Sequence, residues 1–157
     1  MEKPNLIKTA LHEKHLELGA KMVDYSGFEM PVSYDGLKVE HASVREKVGM
    51  FDVSHMGEFT LIGEDALEVL QKITTNDVSN LNDGKIQYSC IPNGKGGIVD
   101  DLLIYRISEG NYMLVVNASN MDKDWGFISH KIKDGGYNVT FENNSDDLAL
   151  IALQGPN

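Results

Sequence analysis

Between Ile86 and Val116 three apolar runs are divided by two turn signals, a pattern that leaves the chain few ways to fold. Asn93-Gly94-Lys95-Gly96-Gly97 puts glycine wherever a reversal needs positive φ, and Ser108-Glu109-Gly110-Asn111 turns the chain again one strand later. Ile86–Pro92, Ile98–Ile107 and Tyr112–Val116 are therefore expected as successive antiparallel strands. Helical patterns flank them. Glu64–Ile73 places Ala66, Leu67, Leu70 and Ile73 on one side, and a helix capped by Asn117 or Ser119 is expected to reach about Ile132 before Gly135-Gly136 breaks it. With strands at Glu58–Ile62 and Tyr137–Phe141, the order becomes β-α-β-β-β-α-β. That order specifies an α+β fold, a mainly antiparallel, ferredoxin-like sheet with helices on one face.

The flanks read differently. Leu6–Leu18 carries a helical stripe stopped by Gly19, and Met22–Tyr34 reads as extended chain around a Ser26-Gly27 turn, with Pro31 marking an edge. Leu37–Val48 is expected as a charged helix closed by Gly49, and Met50–Ser54 as a strand. Leu148–Leu153 is a strand candidate with no partner in view. Gln154-Gly155-Pro156-Asn157 follows it, with proline where a helix would begin. The expectation is the front part of a longer protein: 1–56 opening one domain, 57–145 an inserted α+β domain, and 146–157 returning to the first.

Composition narrows the function. A chain of 157 residues, 41% hydrophobic, is long enough to bury roughly 70% of its unfolded surface. Lys+Arg 14 against Asp+Glu 24 gives a net charge of −10, which argues against a nucleic-acid partner. No apolar run approaches the ~20 residues that span a bilayer, and polar Met1–Ala10 does not read as a secretory leader, so a cytoplasmic protein is expected. Cys90, alone, forms no internal disulfide and is read as a small buried hydrophobe.

Gly97-Ile-Val-Asp100-Asp101-Leu-Leu-Ile-Tyr105 sets two acids inside a buried-strand pattern, where aspartate is disfavoured. Alternation puts Asp100 with Ile98, Leu102 and Ile104, and Asp101 with Leu103 and Tyr105. One carboxyl must then face apolar side chains or a cleft, where burial raises its pKa unless donors compensate. Proton transfer or polar-ligand binding suits such a group. The alternative is that Asp100 is solvated and Asp101 is satisfied by backbone. Other constellations read as ordinary structure. His12-Glu-Lys-His15 misses metalloprotease spacing by one residue and reads as an exposed helix face. Asp52, Ser54 and His55 lie too close in sequence to converge as a triad. Gly94-Lys95-Gly96-Gly97 lacks the Walker pattern. Tyr88, Tyr105 and Tyr112 could frame a flat heteroaromatic ligand, though aromatic residues in strands commonly serve the core. No metal site is expected.

A run of motifs adds a resemblance. Glu40-His41-Ala-Ser-Val-Arg45, Gly49-Met-Phe-Asp-Val-Ser-His-Met-Gly-Glu58, Thr74-Thr-Asn-Asp77, Gly96-Gly-Ile-Val-Asp-Asp-Leu102, Val116-Asn-Ala118 and Leu153-Gln-Gly-Pro156 occur in order, with Leu11-His12 and Gly27-Phe28-Glu-Met-Pro31 ahead of them. Together they resemble the front of the aminomethyltransferase (T protein) family of the glycine cleavage system. The resemblance implies a three-domain folate-binding cloverleaf, here incomplete. It implies transfer of the one-carbon unit of a lipoyl-bound aminomethyl group to tetrahydrofolate, the co-substrate, with release of ammonia. The lipoyl-bearing carrier (H protein) is the implied partner. Asp101 is similar to the family's key acid; Tyr88, Tyr105 and Asn117 match positions lining its folate cavity. The isolated 157-residue chain is expected to be inactive. A non-catalytic folate-binding relative that assists iron–sulfur cluster assembly is the alternative, and a folate domain fused to sarcosine- or dimethylglycine-oxidising flavoproteins is a third.

Overall fold

Local chemistry sets the first hairpin. In the computed structural model, which describes residues 5–157, Ser26 (φ 54°) and Gly27 (φ 85°) take the paired left-handed conformation of a two-residue turn. They join strand β1 (Lys21–Tyr25) to β2 (Phe28–Ser33), and Pro31 is tolerated because a two-stranded sheet is all edge. Helix α1 spans His12–Glu17, shorter than the expected Leu6–Leu18. Ahead of it, the Ile7 amide donates to the Gly27 carbonyl at 2.9 Å and the Ile7 carbonyl accepts from Glu29 at 2.8 Å. Those backbone groups are satisfied beside β2, so they have no need of a helix. Helix α2 (Leu37–Glu46) ends before Gly49, which opens strand β3 (Gly49–Asp52) rather than capping the helix. The expected first segment, 1–56, starts at residues that lie outside the described ones.

Both histidines of α1 are buried, contrary to the exposed face expected of them. The reason is a set of polar partners out of reach of local pattern. His15 Nε2 meets Asp52 Oδ2 at 2.8 Å and its Nδ1 meets the Tyr34 hydroxyl at 2.8 Å. With Nε2–H donating to the carboxylate, Nδ1 is left to accept from the phenol. Thr9 Oγ1 also donates to Asp52 Oδ2, at 2.7 Å, and His12 Nε2 meets Glu29 at 2.8 Å. Asp52 therefore serves His15 and not His55, and no Asp52–Ser54–His55 triad forms. These elements, with Ala149–Asn157, make up one of the chain's two compact units. Among its described residues Met30 is the one buried apolar side chain.

The second unit, Met56–Leu148, holds the hydrocarbon core. Strand β4 (Gly57–Gly63) leads into helix α3 (Ala66–Ile73), strands β5 (Ile86–Pro92), β6 (Ile98–Ser108) and β7 (Asn111–Val116), helix α4 (Met121–Gly135) and strand β8 (Val139–Asn143). All pair antiparallel, in the order β5-β6-β7-β4-β8. Without β5 this is the split βαβ arrangement of ferredoxin-like folds. Period two sends Phe59, Leu61, Leu102, Ile104, Leu114 and Val116 to one face. There they meet Ala66, Val69, Leu70 and Ile73 of α3 and Trp125 and Ile128 of α4. Trp125 stacks on Phe141 at 4.3 Å between centroids, and Phe59 packs edge-on to both rings. Gly136 closes α4 in the left-handed conformation, its amide reaching Ile132 and Lys133 carbonyls.

The last strand is not without a partner. Strand β9 (Ile151–Gln154) pairs antiparallel with β3, Asp52 opposite Ile151 and Gly49 opposite Gln154.

Candidate functional site

The start of β6 concentrates the unusual chemistry. β5 and β6 pair with Ile91 opposite Asp100 and Cys90 opposite Asp101, but the register slips beside Pro92, which has no N–H to give the ladder. The slip falls just before the acid pair, where a bulge can re-aim side chains. From there alternation sends Asp100 to the helix-covered face and Asp101 to the opposite one.

Asp101 is met by two donors. The Tyr88 hydroxyl, one diagonal step away on β5, donates to Oδ2 at 2.5 Å. Asn117 Nδ2 donates to Oδ1 at 2.6 Å and also reaches Asp100 Oδ1 at 3.1 Å. Asn117 follows the last residue of β7, so its amide stands at the strand end and spans both carboxyls. Asn117 stands at the N-cap position of the short 3-10 turn Ala118–Asn120 without a side-chain capping hydrogen bond, and neither it nor Ser119 caps α4, whose N-cap is Asn120. The hydrogen bond to Asp101 pushes the Tyr88 phenol up to about 12, which keeps it a proton donor at neutral pH. Tyr88 is 56% exposed and so is no core aromatic, whereas Tyr112 is buried in the core. Tyr105 shares the Asp101 face, four positions on and roughly 13 Å along the strand, with no hydrogen bond to the cluster. Cys90, expected to be buried, is half-buried on that face.

Behind the sheet Asp100 faces a second carboxyl. Burial raises its pKa, but hydrogen bonds with Asp124, the Asp101 backbone, Asn120 and Asn117 outweigh burial and hold it below its ordinary value. Asp124 is fully buried and goes the other way, pushed up to about 7 by burial and then by Asp100. Glu58, on β4, is also buried with neither oxygen hydrogen-bonded among the described residues, and burial pushes it up to about 7. Sequence reading missed both. An acid in a helix first turn looks ordinary, and Glu58 falls on the sheet face that alternation leaves away from the core.

A cavity of about 520 Å³, lined by Gly63, Glu64, Arg106 and Tyr112 among others, lies at the far end of β6 and contains none of the Asp101 cluster. Among the described residues no group of three His, Cys, Asp or Glu side chains is placed to hold a metal ion, and no helix is long and apolar enough to cross a membrane.

Comparison with known proteins decides the family. The model of the GCVT N-terminal domain matches residues 11–157. The chain belongs to the GCVT N-terminal domain family. Among curated relatives of this family, the aminomethyltransferase of Flavobacterium psychrophilum is 58% identical over 148 residues, covering 94% of this chain and 40% of that protein. That of Deinococcus deserti is 54% identical over 151 residues, covering 96% and 42%. The crystal structure of glycine cleavage system aminomethyltransferase T from Bartonella henselae superposes with a TM-score of 0.84 at 34% identity, over 97% of this chain and 41% of that one. The chain thus spans about 40% of the length of the GCVT relatives it matches.

Proposed function

We propose that this chain is the front part of a folate-dependent aminomethyltransferase of glycine cleavage. The enzyme would take the one-carbon unit of an aminomethyl group held on the lipoyl arm of a carrier protein and pass it to tetrahydrofolate. Ammonia and methylenetetrahydrofolate leave, and the dihydrolipoyl arm is freed. The observation that carries this reading, beside membership of the family, is Asp101. Its carboxylate sits on the sheet face that α3 and α4 leave uncovered, aimed by Tyr88 and Asn117.

That donor set fits a reduced pteridine. Tetrahydrofolate supplies the nucleophilic nitrogen that accepts the one-carbon unit. Asp101, as an acceptor beside that nitrogen, would orient it and draw on its proton, raising its nucleophilicity. The exposed ring of Tyr88 and the half-buried ring of Tyr105 offer flat apolar surface. Asn117, its N–H2 engaged by the two aspartates, presents its amide oxygen to the polar edge of the ring. This reading makes the lipoyl carrier the protein partner and the cytoplasm the compartment.

The test uses the complete protein with aminomethylated lipoyl carrier, with and without tetrahydrofolate, measuring ammonia and methylenetetrahydrofolate together. Folate-dependent release of both is expected. Asp101→Asn should cut turnover by at least ~10²-fold with little change in stability, and Asp100→Asn by less. Wild-type turnover in Asp101→Asn would refute the role given to it. Folate binding without ammonia release would make the cluster a ligand clamp in a non-catalytic relative.

A further inference from the structure

Asp124 lies in the first turn of α4, where the helix dipole favours a negative charge. Everything else about its setting disfavours one. The side chain is 0% exposed, and neither oxygen receives an N–H or O–H from another residue among the described ones. The group it meets is the carboxyl of Asp100, close enough for a hydrogen bond. Lys123, its neighbour in sequence, commits its ammonium to the Val99 carbonyl at 2.7 Å. Asp100 is in a matching state: Oδ1 accepts from Asn117, while Oδ2 is buried with no such donor.

A buried carboxyl in contact with the buried oxygen of a half-buried one does not ionise beside it, because a poorly screened like charge raises one of the two. One proton removes the conflict. Carried by Asp124 and donated to Asp100 Oδ2, it turns two orphaned oxygens into a donor and an acceptor. The charged groups acting on Asp124 are Asp100 and Asp101 from β6 and Lys123 from its own helix. Helix α3 and strand β8, which also pack on α4, carry Glu68, Lys72 and Glu142, and none of these is among the main influences on Asp124.

We propose that Asp124 is a positioning residue: as a buried carboxylic acid it holds its proton against Asp100, and the chain Asp124–Asp100–Asn117 fixes the carboxylate of Asp101. This rests on the reading of Asp101 given above. The link runs through one amide, since Asn117 Nδ2 serves both β6 carboxyls. When Asp124 loses its proton the two acids repel, Asp100 shifts, and Asn117 no longer holds Asp101 in one orientation. Turnover should therefore fall on the alkaline side as Asp124 ionises. An asparagine at this position is a donor at every pH.

Two measurements on the complete protein test this. Infrared difference spectra of Glu58→Gln against the Glu58→Gln/Asp124→Asn double variant, a background that removes the other buried acid, should show the carbonyl stretch of a protonated carboxylic acid, lost from Glu58→Gln as pH rises past neutrality and missing from the double variant. No such band in the difference at neutral pH overturns the shared proton. In turnover assays Asp124→Ala should lose about 10–100-fold. Asp124→Asn should restore most of that loss and shift the alkaline limb to higher pH. An unshifted limb in a folded Asp124→Asn protein overturns the positioning role, even with the infrared band present. If Asp101→Asn keeps wild-type turnover, the reading of the site falls and the positioning role with it, while the infrared result still decides whether Asp124 carries the proton.

Discussion

Tyr88 shows how much a single side chain decides at this sheet edge. Its ring is largely solvent-exposed, so removing the hydroxyl touches little packing. What Tyr88→Phe removes is the donor on Asp101 Oδ2. Turnover should fall about 10-fold, on the scale of a misaligned reacting group, with the melting temperature unchanged; steady-state kinetics beside a thermal melt checks both. Glu58 has the opposite profile, acting on stability and through pH. Burial raises its pKa from 4.5 to about 7, so the folded chain holds this proton more tightly than the unfolded chain does. The stability present below about pH 4.5 is then lost as pH climbs through about 7. Glu58→Gln, which mimics the protonated form, should leave stability nearly unchanged at pH 4 and add about 3 kcal/mol at pH 8, read from denaturant unfolding at the two pH values. Residues like these divide sharply in how far sequence exposes them. Asp101 is legible because aspartate conflicts with an apolar strand. Asn117 invites a wrong reading, since asparagine before a helix is a good cap; only the strand pairing shows its amide spanning two carboxyls. Asp124 is invisible, because its partner lies on another element.

Secondary-structure elements were most legible where the signal is local. The hairpins, α3 and the glycine end of α4 follow from turn chemistry and periodicity confined to a few neighbours. Helix α1 was not, because Ile7 finds better partners beside β2 than in a helix, and those partners lie some twenty residues further on. The same distance effect hid His15. A carboxylate on β3 and a phenol after β2 convert what looks like a surface residue into the polar centre of its unit. Burial works against the charge of Asp52, but hydrogen bonds from His15, Ser54 and Thr9 outweigh it and hold the carboxyl below its usual range. The stability Asp52 contributes is thus present at neutral pH and lost as pH falls through that lowered value. Asp52→Ala strands the His15 ring and the Thr9 hydroxyl together. It should cost the first unit about 3 kcal/mol at pH 7, and less in acid, in equilibrium unfolding.

At the scale of the molecule the two units are stabilised by different means. Met56–Leu148 buries a continuous apolar cluster between one sheet face and two helices. The other unit relies, among its described residues, on Met30 and a hydrogen-bonded polar cluster, and leaves Leu37, Met50 and Leu153 exposed. Local opening should follow that division. Native-state hydrogen exchange is expected to find the amides of β6 and β7 slowest and those of β3 and β9 faster by at least ~10-fold. Equal protection in both sheets would mean that the chain unfolds as one cooperative block. The β3–β9 pairing was also the least legible feature of the fold, because neither strand carries a local mark of the other. It has a consequence in time. A ribosome releases Asp52 roughly a hundred residues before Ile151, which at about 5–20 residues per second is a wait of roughly 5–20 s. Through that interval the whole second unit can emerge and close, while β3 stands as an open edge. A stalled or prematurely ended message leaves that edge to pair with whatever nascent chain is nearest on the polysome.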